Sequence, residues 1–96
     1  MTAYVIFQET IHDLRTFDEY KNLSPDSIGK FGGHFIVRGG SIDVLEGEFH
    51  QERVVVIAFP DAESARAWHQ SDEYADAKAM RLEISSGDAI LVEGVQ

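Results

Sequence analysis

The chain has 96 residues, 44% of them hydrophobic, with 17 acidic side chains against 8 basic ones and a formal charge of −9. That length accommodates one domain around one core, and the surplus negative charge argues against nucleic acid and membrane surfaces as partners. No apolar run approaches the roughly 20 residues of a membrane-spanning helix, and the absence of cysteine removes disulfides, thiolate catalysis and cysteine metal sites from consideration.

The first apolar stretch has no basic segment ahead of it, unlike a secretory signal, so a cytoplasmic protein is expected. Residues 3–8 (AYVIFQ) are rich in β-formers and read as a strand. Asp13 or Thr16 is placed to cap a helix carrying Phe17 and Tyr20 three residues apart on one face. Ser24-Pro25 interrupts that helix, but serine before proline is also a good N-cap and first-turn pair, so a second helical piece is expected through Ile28 to Phe31. Gly32-Gly33 ends it.

Residues 34–38 (HFIVR) form the second expected strand. Gly39-Gly40 reads as a bulge or kink that aims Arg38, and residues 41–45 continue the strand or make a short companion. A charged loop, 46–53, leads to residues 54–59 (VVVIAF), apolar throughout, which suits a central strand buried on both faces. Asp61 can cap a helix with Ala65 and Trp68 on one face. Ser71 can cap another with Tyr74, Ala77, Met80 or Arg81, and Ile84 inward. Residues 85–88 (SSGD) are expected as a turn and 89–92 as the last strand, with Glu93-Gly94 at its end.

The order β-α-β-β-α-β is that of the split βαβ, or ferredoxin-like, α+β fold: an antiparallel sheet with helices on one face and the first and third strands central. Strand parity then divides the side chains. Val5, Phe7, Phe35, Val37, Ile90 and Val92 are expected beneath the helices. Tyr4, Ile6, Gln8, His34, Ile36, Arg38, Leu91 and Glu93 are expected on the open face. A surface mixing aromatic, aliphatic and a few polar groups suits either a small-molecule cavity closed by two subunits or a polar dimer interface.

Several segments together carry a family resemblance: GGHFIVRGG (32–40), LEG (45–47), VVVIAFPDAESARAWHQSDEY (54–74), Arg81 and VEG (92–94). Through them nearly the whole chain resembles the family called domain of unknown function 1330, within the dimeric α/β-barrel superfamily. The resemblance implies a ferredoxin-like protomer and a homodimer formed sheet to sheet into an α/β barrel. It selects no activity, because relatives in the superfamily include cofactor-independent monooxygenases, isomerases and dehalogenase-like or dehydratase enzymes.

Arg38 can clamp a carboxylate or enolate through its planar, permanently charged fork, or pair with Glu93 or Glu46. His34 and Glu93 are the candidate proton carriers, with an interface histidine and a salt-bridge partner as the structural alternatives. Tyr4, Gln8, Tyr20 and Trp68 are candidate ligand contacts, although large aromatics such as Trp68 and Tyr20 more often fill cores. His12, His50 and His69 show no metal-ligand spacing, and no glycine pattern suits a nucleotide, so neither metal nor cofactor is called for. Three functions are compatible with this pattern: an enzyme acting without a cofactor on a small anionic or polyketide-like molecule, a non-catalytic ligand-binding protein, and a purely structural dimer.

Overall fold

In the computed structural model, which describes residues 1–95, the elements run β1 (Ala3–Ile11), α1 (Leu14–Lys30), β2 (His34–Arg38), β3 (Arg53–Phe59), α2 (Ala62–His69), α3 (Asp72–Ile84) and β4 (Ser85–Glu93). The strands pair antiparallel in the order β2-β3-β1-β4, with β1 and β3 central as expected. Three of the expected helix starts are caps. Asp13 accepts from the backbone N–H groups of Arg15 and Thr16, Asp61 from that of Ser64, and Ser71 from that of Tyr74.

The core lies between the helices and one face of the sheet. Val5, Phe7, Val55, Ile57 and Phe59 meet Ile28, Ala65, Trp68, Tyr74 and Ala77 there. Trp68, fully buried, stacks on Tyr74 with ring centroids 4.1 Å apart. Its indole N–H donates to Ser27 Oγ at 3.1 Å, and Ser27 donates to the Ser24 carbonyl at 3.0 Å, so α1 is tied to α2 by a buried polar link.

Four local expectations are corrected. α1 is a single helix of 17 residues with Pro25 inside it, not two pieces, because the buried Ser24, Ser27 and Ile28 continue its inward face across the proline. It ends as expected at Gly32, whose φ of 78° is the left-handed conformation glycine tolerates, with Gly33 N–H bonded to the Ile28 carbonyl. Residues 41–45 form no strand; the chain from 39 to 52 is irregular and leaves Ile42, Val44 and Leu45 exposed. β4 begins at Ser85 directly after α3, so SSGD is strand and not turn. A Cβ at Gly87 would fall against the backbone of Gln8 and Glu9, so glycine serves here for the close approach of β4 to β1.

The fourth correction concerns faces. Residues directly opposite in an antiparallel pair share a face. Leu91 is opposite Val5 and packs on the core, whereas Ile90 is opposite Ile6 and is 51% exposed, so β4 has the reverse of its expected parity. β2 starts as expected, with Phe35 opposite Ile57, but a bulge puts both Ile36 and Val37 against Val56, after which Arg38 stands opposite Val55. Val37 thus joins the open face and Arg38 the helix face. Tyr4 and Arg38 lie on opposite sides of the sheet. β3 is not buried on both sides in the protomer: Val55 and Ile57 are buried while Val54 and Val56 stay half-exposed.

Candidate functional site

Two sequence features bring Arg38 under α1. The bulge turns it to the helix face, and Pro25 supplies its anchor. Proline has no N–H, so the Lys21 carbonyl one turn earlier lacks its helical donor. Arg38 Nη2 donates to that carbonyl at 3.0 Å. The Arg38 guanidinium lies 4.2 Å over the Phe35 ring, and among the described residues no carboxylate forms an ion pair with it, so neither Glu93 nor Glu46 is its partner.

Lys21, Asn22, Arg38 and Arg53 line an open cleft of about 400 Å³ between α1 and the sheet edge. Arg53 reaches it across Phe17, its guanidinium 4.8 Å from the ring centre. Gly39 makes this path possible: its φ is 71°, and a Cβ there would collide with the Arg53 guanidinium. The glycine pair after β2 therefore makes room for Arg53, while the in-strand bulge is what re-aims Arg38. Lys21 is 3.8 Å from Asp18, a loose and exposed pair.

Behind the cleft a narrow pocket runs inward past Arg38 and Arg53 to Tyr20, Phe7 and Glu9. Its free space is about 10 Å³, room for about one water molecule. Glu9 is only 4% exposed. Its Oε2 is 3.5 Å from Arg53 Nε, while its Oε1 has no hydrogen-bond partner among the described residues. Burial pushes the Glu9 carboxyl above the usual range, against the opposing pull of Arg81 and then Arg53.

Arg81, also buried, lies 4.7 Å from the Phe7 ring centre and donates through Nε to Tyr74 Oη at 3.2 Å. Tyr74 Oη is 3.0 Å from Tyr20 Oη. Burial and the neighbouring Tyr74 push the Tyr20 phenol far up, so it keeps its proton at neutral pH. The arrangement can therefore hold an anion at the mouth, and its floor pairs a hydroxyl donor with a carboxylate able to take or release a proton.

The structure unites Arg38 and Tyr20 in this site and leaves the other expected residues elsewhere. Tyr4, Gln8 and His34 belong to the opposite face, and Trp68 is a core residue bonded to Ser27. Glu93 is opposite Ala3 near the end of edge strand β4 and is exposed. Lys21, Arg53, Glu9 and Arg81 were not anticipated. Glu9 had a readable signal: it continues the alternation Ala3, Val5, Phe7 of the core-facing set, where a carboxylate is out of place. Arg53 shares the parity of Val55 and Ile57, and Arg81 was one of two residues offered for an inward position on α3. No group of three or more potential metal ligands converges among the described residues.

Comparison with known proteins places this architecture. The model of the family described as Domain of unknown function (DUF1330) matches residues 2–95, and the chain belongs to that family. No curated protein matches it. Among solved structures, the RPA0582 protein of unknown function from Rhodopseudomonas palustris is similar at a TM-score of 0.76 and 14% identity, covering 99% of this chain and 83% of the other. SnoaB, a cofactor-independent oxygenase from Streptomyces nogalater, is similar at a TM-score of 0.66 and 13% identity, covering 99% and 94% of the two chains. An ethyl tert-butyl ether d (ethd) family protein from Bacillus halodurans reaches a TM-score of 0.54 at 15% identity, with 99% of each chain covered. At these identities the likeness establishes the ferredoxin-like fold and nothing of the chemistry.

Proposed function

We propose that this DUF1330 protein binds a small anionic molecule in the cleft between α1 and the sheet, as a homodimer closed through the open sheet faces. The observation that carries the binding site is the gathering of Lys21, Arg38 and Arg53, three of only 8 basic residues in a chain of charge −9, around one cleft. Arginine forks suit carboxylates and enolates. The dimer reading rests on the face away from the helices, where Ile36, Val37, Ile90 and Val92 are 39–51% exposed and neighbour Ile6, Val54 and Val56, an apolar surface that a monomer would leave in water. Tyr4, Gln8 and His34 then belong to the interface, not to the ligand. A reaction without metal or organic cofactor fits the residues present, and the cofactor-independent oxygenase among the structural relatives shows that such chemistry has been run on this fold.

Native mass spectrometry of gently purified protein, followed by calorimetric titration with citrate, phosphate and 2-oxobutanoate, tests both halves. A dimer mass and anion binding that weakens at least 10-fold in Lys21→Ala/Arg38→Ala are expected. A monomer at micromolar concentration sinks the dimer; absence of binding by all three anions sinks the cleft.

A further inference from the structure

The geometry points to Glu9 as a proton acceptor for an acidic carbon of the bound anion, the carbon between two carbonyls of a small 1,3-dicarbonyl acid, which makes the cleft the site of an enolisation or double-bond shift. This rests on the anion-binding reading above and names the chemistry of that site. Four observations on the molecule converge on it. Glu9 is 4% exposed and lines the pocket that shares Lys21, Arg38 and Arg53 with the cationic cleft, yet among the described residues its Oε1 has no partner. A buried carboxylate oxygen is ordinarily satisfied, so an unused one on a residue that lines a cavity is a vacancy for a donor. The pocket in front of it has room for about one water, enough to bridge the carboxylate to a carbon held in the cleft. Arg53, which borders both pocket and cleft, lies beside Glu9 Oε2 and is positioned to meet the negative charge that leaves the carbon.

The step balances without an oxidant or reductant. The C–H proton passes to the bridging water, which passes a proton to Glu9 Oε1; the C–H electron pair forms a carbon–carbon double bond, and the carbonyl π pair moves onto oxygen. Arg53 and Arg38 stabilise the resulting enolate, with the neutral Tyr20 hydroxyl lining the same pocket. Return of the proton to the same carbon gives exchange, and to another carbon gives an isomer. A carboxylate is a weak base, so only a carbon acidified by two carbonyls is within its reach, and the carboxylate of the substrate is what Lys21, Arg38 and Arg53 would hold.

The test uses 2,4-dioxopentanoate as the probe, with calorimetry for binding and NMR for the rate at which the C3 protons exchange in D₂O. Wild-type protein should bind the probe and exchange C3 faster than buffer. Glu9→Gln should slow that exchange at least ~100-fold while changing the dissociation constant less than about 3-fold; Glu9→Asp, which retracts the carboxylate, should be slowed as well. The wild-type rate should rise with pH through a single ionisation, that of Glu9, whose charged and titratable surroundings are Arg53, Arg81, Arg38, Lys21 and Tyr20. No binding overturns the cleft and this assignment together. Binding without exchange above buffer, or exchange that survives in Glu9→Gln, overturns the Glu9 assignment alone.

Discussion

Replacing Pro25 with alanine should make the protein more stable and a poorer binder. Proline inside a helix is about 3 kcal/mol worse than alanine, because it lacks a donor and its ring crowds the carbonyl one turn back. Here that carbonyl is Lys21 O, already occupied by Arg38 Nη2 at 3.0 Å. Alanine would supply the helical N–H and draw the carbonyl back toward the helix axis, loosening a hydrogen bond of about 1 kcal/mol. The freer unfolded chain of the alanine variant takes back about 0.4–1 kcal/mol more. The balance is a gain of about 1–2 kcal/mol, which for a chain of this size raises the Tm by about 4–16 °C. Thermal unfolding followed by circular dichroism reads the first effect. Calorimetric titration with citrate or 2-oxobutanoate reads the second, expected as a several-fold weaker Kd because Arg38 loses its fixed position. A Tm that stays or falls, or an affinity that does not move, would refute the claim that the proline exists in α1 to present an acceptor to Arg38.

Three further outcomes follow from the same contacts. Ser27→Ala leaves the fully buried Trp68 N–H without its acceptor and should destabilise by about 1–3 kcal/mol in urea unfolding, a loss that should shrink toward zero in a Trp68→Phe background. Gly39→Ala puts a Cβ where the Arg53 guanidinium lies and gives a non-glycine residue a φ of 71°, so it should lower both stability and anion affinity; unchanged affinity would show that Arg53 is not a ligand contact. Burial holds the folded Glu9 carboxyl above 4.5, so between that value and the raised one the native state binds more protons than the unfolded chain, and its stability must fall as pH rises through this window. Urea unfolding from pH 4 to 7 should therefore show Glu9→Gln gaining on wild type with rising pH, by at most about 1.4 kcal/mol per pH unit; parallel curves would mean that Glu9 titrates normally.

The sequence carried the architecture because caps, glycines and apolar periodicity act locally. Asp13, Asp61, Ser71 and Gly32 each do in the structure what their side chains or backbone freedom predict. Parity failed where the pattern held no contrast. Residues 89–92 of β4 are all apolar, so nothing in them says which alternate set faces the core, and only the pairing of Leu91 with Val5 decides it. In β2 the alternation was clear and still misled beyond Phe35, because a bulge inserts one residue without a sequence mark of its own. That single slip moved Arg38 across the sheet and grouped it with the wrong companions. Glu9 and Arg53 were legible by the same parity rule on the strands where no bulge intervenes, but they were hidden by the expectation that the helix face is purely apolar.

The site's electrostatics follow from how its arginines are held. In a chain with 17 acidic residues, ion pairs would be the easy way to fix an arginine, and they would cancel the charge on offer to a ligand. Three arginines around the site are instead each laid on a phenylalanine: Arg38 on Phe35 at 4.2 Å, Arg53 on Phe17 at 4.8 Å and Arg81 on Phe7 at 4.7 Å. A ring face holds the guanidinium plane by its quadrupole and leaves the N–H groups, which point out from the rim, free to donate. Arg38 spends one donor on a neutral carbonyl and Arg81 one on a neutral hydroxyl. Among the described residues only Arg53 of the three comes within ion-pair distance of a carboxylate, 3.5 Å from Glu9, on which Arg81 also acts, and burial raises that carboxyl toward its uncharged form. Positive charge is thereby fixed in place with little of it neutralised, in a chain of net charge −9, and the proposed small anion would meet donors that are already oriented.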